Sequence, residues 1–268
     1  MSDAAGDRPR KVLITGGASG FGFGVAQHMA ERGDSVAIGD VNRGLMAEAR
    51  SRLGDVVLAL EMDVTSPSSV RAAVDACRDS FGGLDTLVCS AGVIRFSPLA
   101  EVTEEDWDLV VDVDLKGTFL VCQAAAPLLI DSGRGRIVTL GSDASRVGFP
   151  NITAYNAAKH GVIGLTRSLA GELAPHNVTV NCVCPVGTPD TKMGQEVLQF
   201  KMDKTGERPG EIMAATASNV PIGRNCTVED VVNAIMFFVS DESSFVTASA
   251  LDVDGGMVNS QPMRGAGE

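Results

Sequence analysis

An apolar segment, Lys11-Val12-Leu13-Ile14-Thr15, opens straight into Gly16-Gly17-Ala18-Ser19-Gly20-Phe21-Gly22, and a helical pattern over residues 22–32 follows. Strand, glycine-rich turn and helix together let a backbone approach a dinucleotide pyrophosphate. Glycine has no Cβ to keep the phosphates away, and the first helical turn offers amide donors and a positive dipole. The spacing is Gly-x3-Gly-x-Gly, with Ser19 just before Gly20 and Phe21 between Gly20 and Gly22. Such a turn by itself is a common structural device, so the rest of the chain has to decide.

The same alternation runs the length of the sequence. Strand-like stretches lie at 12–15, 35–40, 56–62, 84–90, 136–140, 178–183 and 250–253. Between them lie helical patterns at 41–53, 67–81, 104–129, 154–173 and 227–239, with Thr65 or Ser66 as a cap ahead of Pro67. The strand stretches are apolar throughout rather than alternating, as parallel strands covered on both faces require. The pattern predicts an α/β fold, a single-domain doubly wound parallel sheet with helices on both faces. A chain of 268 residues can bury roughly 75% of its unfolded surface, so one core suffices. Residues 188–220 have a different texture, rich in polar side chains with Met193, Met202, Met213, Pro189 and Pro209 and no strand. An excursion of that length inside a domain is expected to be functional, here a substrate-binding lid.

A net charge of −12 repels nucleic-acid phosphates, so nucleic-acid binding is not expected. Residues 1–11 are polar and unlike a secretory signal, and no uninterrupted apolar stretch of roughly 18 residues is present, so no membrane span and a cytoplasmic location are expected. The six cysteines lie mostly in apolar runs and read as buried free thiols; Cys182-Val183-Cys184 lacks zinc-ligand spacing. No metal is expected.

Asp40 ends the second strand. A carboxylate there accepts hydrogen bonds from the adenosine ribose hydroxyls and repels a 2′-phosphate. NAD(H) is therefore expected in preference to NADP(H). Asp63 and Val64 follow the third strand, where Asp63 would edge the adenine or simply cap the next helix. Tyr155 and Lys159 stand at i, i+4 on one helix face. A free phenol has a pKa of about 10, and a neighbouring ammonium favours the phenolate that a general base requires. The plain alternative is an exposed Tyr beside a surface Lys, weakened because Tyr155 is the only tyrosine in the chain. His160 points off that face and reads as structural.

With these pieces in place the chain resembles the short-chain dehydrogenase/reductase family over essentially its whole length. The resemblance is carried by Thr15–Gly22, Asp40, Asp63-Val64, Ala91-Gly92, Leu115-Lys116-Gly117, Ser142, Tyr155-x3-Lys159, Asn181-x3-Pro185 and Val253-Asp254-Gly255-Gly256. It implies a Rossmann-like sheet of about seven strands, a nicotinamide cofactor, a small alcohol or ketone as substrate and a homotetramer. Tyr155 would exchange a proton with the substrate oxygen. Lys159 would lower the Tyr155 pKa and bind the nicotinamide ribose, and Ser142 would hydrogen-bond the same substrate oxygen. The cofactor would be held by Gly16, Ser19, Gly20, Phe21, Gly22, Asp40, Asp63, Val64, Ser90, Ala91, Gly92, Pro185, Gly187 and Thr191, together with Tyr155 and Lys159.

Four positions depart from the family pattern. Ser90 stands where an Asn is usual. Asp114 replaces the Asn that completes a proton relay; a carboxylate near Lys159 would raise the lysine pKa and offset its field at Tyr155, so that alcohol oxidation favours alkaline pH or Asp114 is itself protonated. Val186 either replaces the Gly of a Pro-Gly pair or is an insertion that leaves Gly187-x3-Thr191 in register, the second reading keeping Thr191 as a cofactor contact. Ala248 stands where Gly is common. Asp143, Arg146 and Asn151, between Ser142 and Tyr155, would suit a hydroxylated substrate, and the run from 194 to 210 loosely resembles lids of polyol and vicinal-diol dehydrogenases. Helix 104–129, with Trp107, Val113, Leu120 and Val121, would form subunit contacts. The leading expectation is an NAD-dependent enzyme interconverting a secondary alcohol and a ketone. A non-catalytic dinucleotide sensor or scaffold is motivated by Ser90, Asp114 and Val186, and a cofactor-independent lyase or dehalogenase is opposed by the intact glycine turn and lysine.

Overall fold

The computed structural model of the chain describes residues 8–260. Its strands are β1 (Lys11–Thr15), β2 (Ser35–Asp40), β3 (Val57–Glu61), β4 (Thr86–Cys89), β5 (Arg136–Leu140), β6 (Thr179–Pro185) and β7 (Ala250–Val253). They form one seven-stranded sheet in the order β3-β2-β1-β4-β5-β6-β7, and every neighbouring pair is parallel. The helices are α1 (Gly20–Glu31), α2 (Arg43–Leu53), α3 (Pro67–Phe81), α4 (Glu104–Val111), α5 (Thr118–Asp131), α6 (Thr153–Leu173), α7 (Lys192–Thr205), α8 (Pro209–Asn219) and α9 (Val228–Val239).

Each strand feeds two cores. On one face Val12 and Ile14 of β1 pack with Val25 and Met29 of α1, Met46 of α2 and Val231 and Ile235 of α9. On the other, Leu13 packs with Val74 of α3, Val121 and Leu129 of α5 and Leu173 of α6. Burial on both faces is why the strand stretches carry no polar alternation. Local signals set the ends of the helices. Ser66 accepts from the backbone N–H of Ser69 ahead of Pro67, and Gly82, at φ 68°, closes α3 in the left-handed region where glycine is free of Cβ strain. Thr227 and Asp230 form a reciprocal capping box at the start of α9.

Two segments differ from the sequence reading. The long helix expected at 104–129 continues to Asp131 but passes through a π-helical turn, Asp112–Gly117, between α4 and α5. That turn holds Asp114. Residues 188–220 contain α7 and α8. They bury little besides Gly194 and Ile212, so no clear apolar stripe announces them. Among the described residues one continuous helix, Glu104–Asp131, is long and apolar enough to cross a membrane by length and composition. Here Val121, Cys122, Ala125 and Leu129 of that helix are packed on the sheet. Val121 therefore faces the chain's own core, with Val113 and Leu120 packed against it, rather than outward as expected. The outward apolar residues of this helix are Trp107, Leu109 and Phe119.

A charged layer closes the end of the sheet opposite the glycine turn. Arg10, fully buried, donates from its backbone N–H to Asp34 and from its guanidinium to Asp241 and the Arg134 carbonyl. Asp85, also buried, accepts from the Lys11 backbone N–H at 3.1 Å, the Thr86 hydroxyl at 2.9 Å and Arg134 at 2.8 Å. Removing one member leaves a buried charge without its partner. Asp85→Ala is expected to destabilise the fold by about 3 kcal/mol, read as a lower denaturant midpoint at unchanged slope. A shift below a quarter of that would contradict the reading.

Candidate active site

The residues singled out in the sequence gather at the carboxyl ends of the strands. Strand order reverses between β1 and β4, and open α/β sheets bind ligands in the crevice formed at such a switch point. The glycine turn lies there. Gly16 has φ +63°, and a Cβ on it would fall 2.8 Å from the Ala91 backbone; a Cβ on Gly22 would fall 2.4 Å from the Gly16 carbonyl oxygen. Ser19 is the N-cap of α1 but makes no side-chain cap, and no acidic residue occupies the first turn. The first-turn amides are thus left to a ligand, as an anionic pyrophosphate requires. A Cβ on Gly20 would lie 3.6 Å from the Thr191 methyl, which brings the start of α7 beside the turn. Thr191 itself caps α7, accepting from Gly194 and donating to the Thr188 carbonyl, each at 2.9 Å.

Asp40 lies at the tip of β2. One carboxylate oxygen accepts from the Asn42 backbone N–H at 2.9 Å, and the other has no protein donor among the described residues. Asp63 accepts from the Thr65 backbone N–H at 2.8 Å and hydroxyl at 2.7 Å through a single oxygen, so it braces its own turn while Ser66 caps α3. Val64 packs where a Cβ on Gly117 would fall, 2.8 Å away. Ser90 and Ala91 are tied to the end of β1, Ser90 donating to the Thr15 carbonyl and Ala91 to the Thr15 hydroxyl, both at 3.2 Å. After β6, the Val186 backbone N–H donates to the Val253 carbonyl at 3.2 Å. Val186 thus prolongs the pairing with β7, and Gly187 begins the departure towards Thr191.

At the centre, Lys159 and Asp114 are buried together. Lys159 Nζ lies 3.0 Å from Asp114 Oδ2 and donates to the Leu140 carbonyl at 3.1 Å. Asp114 Oδ1 accepts from the Val93 backbone N–H at 2.8 Å. A Cβ on Gly92 would fall 3.2 Å from Asp114 Oδ2 and 3.5 Å from Lys159 Nζ. Burial opposes the charge on Lys159, but Asp114, Tyr155 and the contact between ammonium and carboxylate outweigh it and hold the lysine above its ordinary value. Burial also pushes the Asp114 carboxyl up, against the pull of Lys159 and the Val93 amide. The 3.0 Å approach and the raised lysine describe an ion pair. The Asp114 carbonyl accepts from the Thr118 hydroxyl at 2.7 Å.

Lys159 Nζ lies 5.3 Å from the centre of the Tyr155 ring. Tyr155 is buried, and burial raises its pKa; Lys159 pulls it down as expected, Asp114 pushes it up, and Ser142 draws it down. In the chain alone burial wins. The Tyr155 hydroxyl donates to Met193 Sδ of α7 at 3.6 Å, a weak acceptor. Ser142, after β5, donates to Asp143 Oδ1 at 2.7 Å and accepts from the Ala144 backbone N–H at 3.1 Å. Gly141 precedes it because a Cβ there would fall 2.8 and 2.9 Å from the sulfurs of Cys184 and Cys182. All six cysteines are free and buried.

Arg146, expected to face a substrate, is turned to β7, donating to Asp252 at 2.7 Å and the Ala250 carbonyl at 2.6 Å. His160 is exposed and contacts the Asn156 carbonyl of its own helix at 2.9 Å. Phe96, which the sequence reading missed, stacks on Phe200 of α7 with ring centres 4.4 Å apart, and Met193 of the expected lid reaches the Tyr155 hydroxyl. Both link α7 to the cleft, and the methionines and Phe200 of segment 188–220 were the only signal for either.

A family profile described as enoyl-(acyl carrier protein) reductase matches residues 16–258. A 2-(S)-hydroxypropyl-CoM dehydrogenase of Xanthobacter autotrophicus is 35% identical over 249 residues, covering 92% of this chain and 95% of that one. The chain belongs to the short-chain dehydrogenase/reductase family. A galactitol 2-dehydrogenase of Agrobacterium fabrum is likewise 35% identical, over 91% of this chain and 96% of that protein. Among solved structures, levodione reductase superposes with a TM-score of 0.87 at 27% identity over 94% of this chain and 99% of its own. A variant of actinorhodin polyketide ketoreductase with NADPH gives 0.88 at 31%, over 93% and 97%. Members of the short-chain dehydrogenase/reductase family bind a nicotinamide dinucleotide, and the glycine turn, the uncapped α1 amides and the free Asp40 oxygen fit one. Gly22→Ala should displace the turn at a cost of about 1–3 kcal/mol, seen as weaker NADH binding by fluorescence titration. Unchanged binding would remove the turn from the cofactor site.

Proposed function

We propose that this chain is an NAD-dependent dehydrogenase interconverting a secondary alcohol, of the polyol, diol or cyclic class, and its ketone. The observation that carries this reading is the convergence of Ser142, Tyr155 and the buried Lys159 at the carboxyl edge beside an uncapped α1. When bound, a nicotinamide dinucleotide would supply the hydride acceptor or donor. Gly16, Ser19, Gly20, Phe21 and Gly22 would hold its pyrophosphate, Asp40 the adenosine ribose, and Val64, Ser90, Ala91 and Gly92 the floor beneath it. Pro185, Gly187 and Thr191 would flank the nicotinamide end.

Tyr155 takes the hydroxyl proton in oxidation and returns it in reduction. Ser142 fixes the reacting oxygen, and Lys159 binds the nicotinamide ribose and favours the phenolate. Asp114 works against that last effect, since its negative charge raises Tyr155 while holding Lys159 charged. Oxidation, which needs the phenolate, is therefore expected to rise towards alkaline pH. Asp40 favours NAD: its free oxygen suits the ribose hydroxyls and repels a 2′-phosphate. Relatives differ here, one being named an NAD(+) dehydrogenase and a structural neighbour holding NADPH. Segment 188–220, with Met193 and Phe200 over the cleft, acts as the substrate lid. Trp107, Leu109 and Phe119 on the long helix and Phe237, Phe245 and Leu251 near β7 are exposed, and we assign them to the contacts of a homotetramer. Buried free thiols suit a cytoplasmic, reducing setting.

The test is NAD⁺ reduction over polyols, vicinal diols and cyclic alcohols, with Tyr155→Phe and Asp114→Asn beside the parent. Tyr155→Phe should lower turnover by roughly 10²-fold or more while NADH still binds. Asp114→Asn removes the charge that raises Tyr155, so the acidic limb of its kcat/KM profile should move to lower pH. Superimposable profiles would remove Asp114 from the proton chemistry. Cofactor binding with no turnover of any alcohol would favour the sensor reading.

A further inference from the structure

Asp143 is a carboxylate for which the proton chemistry above has no use. It follows Ser142 directly, is largely buried, and holds only one of its oxygens in protein hydrogen bonds. Oδ1 accepts from the Ser142 hydroxyl at 2.7 Å and from the Ala144 backbone N–H at 2.8 Å. Oδ2 has no donor among the described residues. Among the described residues no cation forms an ion pair with Asp143; Lys201 of α7 acts on it only at longer range, and Asp254 opposes it.

The consequence lies in the serine. A hydroxyl has one proton to donate. In this arrangement Ser142 gives that proton to Asp143, yet the family reaction needs it on the reacting oxygen. Asp143 and the reacting oxygen are therefore rivals for the same hydrogen. Two partners of one hydroxyl, each about 2.7 Å from it, sit about 4–5 Å apart. That gap matches a reacting oxygen on one carbon and a neighbouring hydroxyl donating to the carboxylate. Met193 and Phe96 pack against the apolar cluster that holds Tyr155, and Phe96 stacks on Phe200.

We propose that Asp143 is a specificity residue that accepts a hydrogen bond from a second hydroxyl adjacent to the reacting carbinol, freeing the Ser142 proton for the reacting oxygen and so selecting vicinal diols over simple alcohols. This rests on the dehydrogenase reading of the same cleft. Asp143 touches neither the transferred proton nor the hydride; it acts by positioning Ser142 and the substrate.

Matched pairs test it: 2,3-butanediol against 2-butanol, and 1,2-cyclohexanediol against cyclohexanol, across the diol stereoisomers, with NAD⁺ and each of the parent, Asp143→Asn, Asp143→Ala and Tyr155→Phe. The parent should prefer the diol of each pair in kcat/KM. Asp143→Ala should raise the diol KM by about tenfold or more and raise kcat/KM for the simple alcohols, because Ser142 is released, so that the preference collapses or inverts. Asp143→Asn, which keeps the shape, should lie between the two. A purely structural role would lower both members of each pair equally, and that equal loss would overturn the proposal, as would a parent with no diol preference. Thermal melting of each variant separates misfolding from altered selectivity, and Asp143→Asn remains informative where the alanine variant unfolds. If Tyr155→Phe keeps full activity, or the parent oxidises no alcohol in the panel while binding NADH, the dehydrogenase reading itself falls and the assignment of Asp143 falls with it.

Discussion

The buried ion pair between Lys159 and Asp114 joins every part of the site. Lys159 comes from the long helix α6, Asp114 from the π turn between α4 and α5, and the Leu140 carbonyl from the end of β5. The Val93 amide from the segment after β4 completes the set. An ammonium and a carboxylate can be removed from water together only when each is also hydrogen-bonded, and an unpaired one would be strongly destabilising. The pair therefore fixes the relative positions of these segments. It crowds position 92, where glycine stands and a Cβ would fall 3.2 Å from Asp114 Oδ2. It also places a fixed positive charge under the only tyrosine, and cancels part of it.

That cancellation gives the site its character. Burial makes Tyr155 a poor base, Lys159 offsets part of that, and Asp114 takes some of the offset back. Acting as a base, Tyr155 would need a higher pH, or the positive charge that a bound nicotinamide would bring, to reach the phenolate. A second, part-buried polar contact lies beside it, where the Ser142 hydroxyl donates to Asp143 at 2.7 Å. Two carboxylates, Asp114 and Asp143, thus stand beside Lys159 and Ser142.

Much of the fold was legible because parallel strands buried on both faces leave unbroken apolar runs, and because Pro67, Gly82 and Thr227 punctuate helices by known chemistry. The glycine turn, Asp40, Tyr155 and Lys159 could be read because their roles depend on residue type and spacing. The π turn could not, since an i+5 hydrogen-bond pattern leaves no periodic mark in the segment around Asp114. Helices α7 and α8 were hidden because they bury little besides Gly194 and Ile212, which leaves no apolar stripe. The direction of Arg146, the inward turn of Val121 and the hydrogen bond between Ser142 and Asp143 are set by tertiary packing, which a linear reading does not hold.

Because Tyr155 is the only tyrosine, its ionisation can be followed alone. The most direct test is an ultraviolet absorbance titration of the phenolate in the folded protein without cofactor, for the parent and for Asp114→Asn. Tyr155 should titrate above a free tyrosine in the parent and move to lower pH in the variant. A parent titrating at or below free tyrosine, or a variant that titrates with it, would contradict the claim that burial and Asp114 together hold back the base.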